Sequence, residues 1–221
     1  MRASIKHGHI YLDKYFQPRR NAMAHEVKII LVFDYQIYIR WTFNLAYSDL
    51  KSCYYWIVHN TASIALQHLG LPISEIFIML EEIKKMSHKV RTSFGDSEIT
   101  YGGSQIPEGF NNNIPGSIQG NGSAPKIWSI LRSVIFEALR AQGFGIIFSN
   151  RFNNEFTQLV GFSYVENCDL IQSGDNVHTT HQYMQDALLG WGTLIEVTRI
   201  FLVPNKVAWY LVEYKWHQEK W

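Results

Sequence analysis

The segment GFSYVENCDLI, residues 161–171, constrains the fold more than any other part of the chain. It holds two short apolar runs, one before Glu166 and one that begins at Leu170. Glu166 and Asn167 stand where the first run ends, and two polar residues at such a point are typical of a tight β-hairpin, in which Asn suits a turn position. The pattern therefore predicts a hairpin with an acid and an amide at its tip. The tip has two interpretations, a plain polar turn or a metal site.

The apolar pattern elsewhere predicts alternating helices and strands. Residues 40–49 carry apolar side chains at the odd-numbered positions before Asp49, which predicts a strand that ends on this acid. Helices are predicted over residues 21–39, 54–69, 72–85, 126–143 and 177–191, and strands over 88–106 (as a hairpin), 144–150, 156–165, 168–172, 198–203 and 207–215. Interspersed helices and hairpins predict an α+β fold, in which helices pack on one face of a mostly antiparallel sheet.

This arrangement predicts where the acids meet. In a split βαβ sheet the central hairpin can lie beside the first strand, so Asp49 and the hairpin tip would be neighbours. Carboxylates gathered from separate elements suit Mg²⁺, which takes one or two protein carboxylates and keeps its other positions for water and phosphate oxygens. Two such ions can clamp an in-line phosphoryl transfer.

Composition excludes several classes of protein. Hydrophobic residues make up 47% of the 221 residues, which argues against disorder, and the net charge of +1 argues against a uniformly basic nucleic-acid binder. The longest strictly apolar run, IILVF at 29–33, is far too short to cross a membrane. The first ten residues lack the apolar segment of a signal peptide, and two cysteines form no disulfide framework. We therefore expect an intracellular protein, cytoplasmic or nuclear, without a membrane partner.

The charge is unevenly distributed along the chain. Basic residues concentrate in residues 1–51 and in KKMSHKVR at 84–91, whereas residues 152–198 contain six acids and neither Lys nor Arg. This asymmetry suits a polyanion held on a cationic patch, with acids reserved for metal. From charge alone, an ordinary solvated surface is the better explanation.

Four motifs, one of them the hairpin segment, occur in a familiar order. They are SDLKSCYYWIVH (48–59), QGNGSAPKIW (119–128), YVENCDLI (164–171) and LVPNKVAWYLVEYKW (202–216), preceded by the Arg-containing segment YFQPRRNAMAHEV (15–27). Together they resemble the reverse transcriptases of non-LTR-type retroelements. The resemblance implies a partial fingers-like basic segment over 1–39, a palm-like domain over 40–216 and the start of a further C-terminal region over 217–221. Because the family's fingers begin earlier and its thumb follows the palm, the resemblance also implies a truncated chain.

The resemblance assigns roles to particular residues. Asp49 matches the first metal-binding aspartate, and Tyr54 matches the aromatic gate that selects deoxynucleotides, although it can also be a core tyrosine. Gln119 and Gly120 match a pair that touches the incoming nucleotide and template, or else form a helix-entry loop. Lys206 matches the lysine that neutralises or protonates the leaving pyrophosphate, or else lies on the surface.

The same resemblance implies partners and cofactors. Arg19 and Arg20 would contact nucleic acid. The expected partners are an RNA template, a DNA primer and deoxynucleoside triphosphates, and an active enzyme would use two Mg²⁺ or Mn²⁺ ions. Cys53 and Cys168 would be neighbours, as two buried thiols or as a redox pair.

The catalytic acid pair departs from the family pattern. The family has aromatic-x-Asp-Asp, whereas this chain has Glu166 and Asn167 at the two acid positions. Glu keeps the charge on a longer side chain and Asn loses it, so the metal ligands would be Asp49 and Glu166, with Asp169 outside the direct ligands. Two functions therefore compete, a working RNA-directed DNA polymerase with an unusual metal site and a catalytically impaired remnant that at most binds nucleic acid. An unrelated α+β binding protein is a third alternative.

Overall fold

The computed structural model describes residues 22–51, 53–102, 116, 122–149, 155–164 and 166–215. Five helices lie in this part of the chain: α1 (Ala22–Ile39), α2 (His59–His68), α3 (Ile73–Lys85), α4 (Ala124–Ala141) and α5 (Val177–Val197). Its strands are β1 (Thr42–Lys51), β2 (Ser87–Thr92), β3 (Gly95–Gly102), β4 (Ile146–Ser149), β5 (Phe156–Leu159), β6 (Gly161–Tyr164), β7 (Asn167–Gly174), β8 (Phe201–Leu202) and β9 (Ala208–Val212). Short 3-10 helices occupy Cys53–Trp56 and Pro204–Lys206. None of the helices in these ranges is both long and apolar enough to cross a membrane.

Strand β1 is the centre of an antiparallel five-stranded sheet. On one side it pairs with β7, which in turn pairs with β6, and on the other side it pairs with β8 and β9. Two separate hairpins, β2–β3 and β4–β5, complete the strands of the described residues. The structure therefore confirms the predicted α+β fold with antiparallel pairing.

One face of the sheet packs on helices α4 and α5. The even-numbered side chains of β1 and β7, among them Ala46 and Leu170, join a core that contains the fully buried Trp128 and Trp191. Trp191 lies 5.7 Å from the ring of Phe136, centroid to centroid. Buried aromatic rings of this size each contribute about 1.5–3 kcal/mol through the removal of apolar surface from water. This core packs against the face of the sheet that α4 and α5 cover, and it fixes where the strands end.

Helix α1 covers the opposite face, but only over the beginning of β1. Phe33 meets Phe43 edge to face with ring centroids 4.8 Å apart, and Val32 packs with Phe162 and Ile171. Because side chains alternate along a strand, Phe43 shares its face with the odd-numbered residues that follow. The end of β1 on that face is occupied by polar residues.

The hairpin tip lies one residue earlier than the sequence predicts. Asn167 already pairs with Tyr164, so Asn167 is the first residue of β7 and not a residue of the turn. The apolar Val165 suggested a longer strand, but cross-strand pairing with β1 draws Asn167 into the sheet. Glu166 alone of the two polar tip residues stays in the turn.

Other elements also differ from their predicted form. The strand predicted over 156–165 is divided into β5 and β6, which pair with β4 and β7 respectively. The predicted helix at 54–69 is split into a 3-10 helix and α2, and α5 continues six residues beyond 191. Trp209 and Tyr210 of the edge strand β9 are exposed. Residues 103–121, apart from residue 116, lie outside the described residues.

Candidate functional site

The end of β1 and the tip of the β6–β7 hairpin lie side by side. Asp49 is the direct cross-strand partner of Asn167, so their side chains project from the same face. The Leu50 amide donates a hydrogen bond to the Glu166 carbonyl at 3.2 Å. The Val203 amide donates to the Asp49 carbonyl at 3.0 Å. Three separate parts of the chain therefore meet at Asp49.

Lys206 covers the carboxylate of Asp49. Its Nζ donates to Asp49 Oδ2 at 2.6 Å, although the two residues are 157 positions apart in sequence. The Asp49 side chain is 9% exposed and that of Lys206 is 62% exposed. The bond and the charge of Asp49 raise the pKa of Lys206, and Glu166 adds to the shift. Lys206 is thus a protonated, exposed cation on a buried carboxylate.

The amide of Asn167 has a partner of its own. The Tyr47 hydroxyl donates to Asn167 Oδ1 at 2.8 Å. Burial raises the pKa of Tyr47, and the charges of Asp49 and Asp169 raise it further, so this hydroxyl stays protonated as a donor. Sequence analysis did not single out Tyr47. The signal was available, because a residue two positions before Asp49 shares its face of the strand.

Glu166 lies between the end of β1 and the first 3-10 helix. Its side chain is half-buried. Its negative charge is close enough to raise the pKa values of Lys206, Tyr47 and Cys53. The turn thus places the Glu166 carboxylate next to the Asp49–Lys206 pair. The hydrogen bond from the Leu50 amide fixes the backbone of Glu166.

The donors at this site suit one hard cation better than two. Asp49 and Glu166 provide two carboxylates, and Asn167 adds an amide oxygen, which is a set that Mg²⁺ accepts in proteins. Asp169 is buried on the same face, but it pairs with Tyr47 and not with Asp49 in the sheet register. In the described part of the chain, no group of three or more His, Cys, Asp and Glu side chains could hold a metal ion. Asn167 brings no charge for a second ion.

Tyr54 lies in the core beside this site. It is buried in the first 3-10 helix, and burial raises the pKa of its hydroxyl, with Cys53 and Glu166 adding to the shift. A side chain at Gly116 would collide with the Tyr54 carbonyl oxygen, so the chain at Gly116 packs tightly on this helix. The structure places Tyr54 as a core tyrosine at the border of the site. Gln119, Gly120, Arg19 and Arg20 lie outside the described residues.

On the core-facing side of the site, helix α4 carries a buried cation that sequence analysis missed. Arg132 of α4 is fully buried, with its guanidinium carbon 5.2 Å from the ring centroid of Trp128. It hydrogen-bonds Cys168 and opposes the rise in the pKa of Cys53. The available signal was an arginine inside the apolar pattern of a predicted helix.

Cys53 and Cys168 are free, buried and close enough to interact. Burial raises the pKa of each thiol to about 12. A thiol with such a pKa is a poor nucleophile at neutral pH, because the thiolate is the reactive form. This favours the interpretation of two buried thiols over that of a redox pair.

Comparisons with known proteins identify the fold but not a family. No protein-family model matches the chain, and no curated protein matches its sequence. Among solved structures, apo telomerase from Candida tropicalis, truncated from its C-terminal domain, aligns with a TM-score of 0.58 at 14% identity, over 88% of this chain and 36% of that chain.

Two further telomerase structures agree. Telomerase from Candida tropicalis in complex with a TWJ fragment of telomeric RNA has a TM-score of 0.57 at 13% identity, over 86% of this chain and 30% of that chain. Telomerase from Candida albicans with the TWJ fragment has a TM-score of 0.52 at 14% identity, over 97% of this chain and 33% of that chain. The chain spans about a third of the length of these structures. The chain therefore has a palm-like α+β fold.

Proposed function

We propose that the chain is a reverse-transcriptase-like polymerase domain, specifically the palm of an RNA-directed DNA polymerase from a non-LTR-type retrotransposon. The observation that carries this proposal is the meeting of Asp49, Glu166 and Lys206 at the end of adjacent strands. The resemblance of the motifs assigns polymerase roles to these three residues. The shared fold with telomerase supports the proposal.

The carboxylates of Asp49 and Glu166 would hold Mg²⁺ or Mn²⁺. When bound, such ions supply positive charge for nucleotidyl transfer from a deoxynucleoside triphosphate to a primer 3′-hydroxyl. In this proposal the positions of the two carboxylates are fixed, because the backbones of Asp49 and Glu166 are held by hydrogen bonds to neighbouring parts of the sheet. Asn167 offers only a neutral oxygen, which Tyr47 already engages.

Lys206 is the proposed proton donor to the leaving pyrophosphate. Its raised pKa keeps Nζ protonated at neutral pH, and its exposed stem lets the ammonium group leave Asp49 for a phosphate oxygen. Tyr54, Gln119 and Gly120 are proposed to border the nucleotide. Arg19 and Arg20, with the RNA template and DNA primer as partners, are proposed from the resemblance.

A catalytically impaired remnant that at most binds nucleic acid is the second candidate. The observation that favours it is the loss of charge at Asn167, whose amide oxygen accepts a hydrogen bond from Tyr47. Electrostatic stabilisation accounts for most of the rate enhancement in phosphoryl transfer, so the loss of one carboxylate is costly.

A repair experiment separates the two candidates. Primer extension on an RNA template with Mg²⁺ would be measured for the natural palm and for the double change Glu166→Asp with Asn167→Asp, each with fingers and thumb segments supplied in the same polypeptide. The impaired-remnant candidate predicts a gain on the order of a thousandfold for the double change. Asp186→Asn, an acid on α5, is the matched control and should leave the rate unchanged.

The outcomes are distinct. If the natural chain extends primers as fast as the repaired one, the impaired-remnant candidate is wrong and Glu-Asn is a working metal site. Adding Asp49→Ala should abolish extension in both backgrounds. If neither background extends primers, or if Asp49→Ala has no effect, the polymerase proposal is wrong.

A further inference from the structure

A large cleft lies at the end of the sheet opposite to Asp49. Its volume is about 950 Å³, and its walls include Trp41, Gln172 and Tyr183. Gln172 lies five residues beyond Asn167 on β7, which places it about 16 Å from the hairpin tip at 3.3 Å per residue. The cleft is therefore separate from the candidate polymerase site.

The lining of this cleft combines exposed aromatic rings with an absence of charge. Tyr38, Trp41 and Tyr183 line it and are 70%, 49% and 48% exposed. Among the described residues that line it, none is acidic, basic or histidine. Exposed rings with accessible faces stack on flat uncharged rings, and every nucleobase has such a face.

A buried amide in the wall has an unused donor. Gln172 is 2% exposed, and its Oε1 accepts a hydrogen bond from the Gly145 amide at 3.0 Å. Its Nε2 has no hydrogen-bond partner among the described residues. This donor is itself closed to solvent, and the cross-strand neighbour Asn44 also has an Oδ1 atom without a partner among the described residues. The wall of the cleft is therefore polar but uncharged at this point.

The cleft is longer than a single base requires. At Tyr35 and Tyr38 it adjoins a second cavity of about 590 Å³. Its lining is almost entirely apolar, and Arg140 at its edge donates a hydrogen bond to the Gln158 carbonyl at 3.1 Å. The two adjoining cavities therefore offer aromatic and apolar surface along which successive bases can stack.

We propose that this cleft binds single-stranded nucleic acid, with bases stacked on Tyr38, Trp41 and Tyr183. The choice of nucleic acid as ligand rests on the proposed function. The site itself rests on the geometry of the cleft. The cleft would bind a nucleic-acid strand at a distance from the residues proposed to catalyse nucleotidyl transfer.

Binding to two labelled strands tests this proposal. The full chain would be titrated, with fluorescence anisotropy as readout, against a twelve-nucleotide thymidine strand and against an abasic strand with the same phosphates. Trp41→Ala should weaken binding of the thymidine strand about tenfold and leave the abasic strand unaffected, because only stacking is lost. Phe94→Ala removes a fully exposed ring at the tip of the β2–β3 hairpin and should change neither affinity.

Three results would overturn the proposal. They are an unchanged affinity in Trp41→Ala, an equal loss for the abasic strand, and competition by a neutral oligosaccharide as effective as that of the thymidine strand. Because Trp41 is exposed, its replacement leaves the core intact and the test does not depend on a disrupted fold. Base-dependent binding without primer extension would contradict the polymerase proposal alone, and extension without an effect of Trp41→Ala on binding would contradict the cleft alone.

Discussion

The beginning and the end of strand β1 present the same face of the sheet to two different covers. At the beginning, Phe43 lies beneath helix α1, with the ring of Phe33 4.8 Å away. At the end, Asp49 lies beneath the side chain of Lys206, whose Nζ is 2.6 Å from Oδ2. Both Phe43 and Asp49 are buried, one by apolar packing and the other by an ion pair.

The difference concerns what must move to uncover each residue. Exposure of Phe43 requires displacement of a helix of 18 residues. Exposure of Asp49 requires movement of one flexible, 62% exposed lysine side chain. Packing at the beginning of the strand therefore serves stability, and the polar cover at its end leaves a carboxylate within reach of a ligand.

The largest predicted effect is at the covered beginning of the strand. Phe43→Ala should lower the free energy of unfolding by about 3–5 kcal/mol, because it leaves a cavity beneath α1. Urea denaturation measures the loss. Phe94→Ala, at an exposed hairpin tip, should cost less than about 0.5 kcal/mol. A similar small cost for Phe43 would show that α1 does not seal this end.

The second effect concerns the two buried thiols on the core-facing side of the site. Cys53 and Cys168 have pKa values raised to about 12 in the fold, whereas unfolded thiols ionise near pH 8.5. Above pH 8.5 the unfolded state therefore loses protons that the folded state keeps, and stability falls as pH rises. Between pH 7.5 and 9.5 we expect a loss of roughly 1 kcal/mol per thiol.

Urea denaturation at the two pH values measures this loss. The variant with Cys53→Ala and Cys168→Ala should show little dependence on pH in this range. An equally large alkaline loss in that variant would mean that the thiols are not shielded from solvent.

The smallest effect is at the polar end of the strand. Tyr47→Phe removes the hydrogen bond to Asn167 and should cost about 1 kcal/mol in urea denaturation. Tyr210→Phe, on the exposed part of β9, is the matched control and should be neutral. If Tyr47→Phe costs as much as Phe43→Ala, the two ends of β1 are equally essential to stability and the contrast between them disappears.

Local patterns predicted most of the elements. The alternation before Asp49 predicted β1, and the apolar periodicity predicted α3 and α4 within two residues at either end. The turn of the β6–β7 hairpin was misplaced by one residue, because pairing of Asn167 with Asp49 in the neighbouring strand fixes where the turn ends. Such pairing is not encoded in the hairpin segment alone.

The site was predicted in outline and not in its contacts. The adjacency of Asp49 and the hairpin tip followed from the expected sheet. The covering of Asp49 by Lys206 joins residues 157 positions apart, and no local signal in the sequence contains it. The buried charge of Arg132 and the bond from Tyr47 likewise depend on which elements pack together.

Titration with Mn²⁺, followed by its electron paramagnetic resonance signal, tests most directly whether Asp49 and Glu166 form one metal site. We predict that the natural chain binds a single Mn²⁺ ion and that Asp49→Ala abolishes this binding. Lys206→Gln should tighten it, because the competing cation is removed. Glu166→Asp with Asn167→Asp should add a second ion, since a second charged ligand becomes available. If Asp49→Ala binds Mn²⁺ with the affinity of the natural chain, Asp49 and Glu166 do not form one metal site.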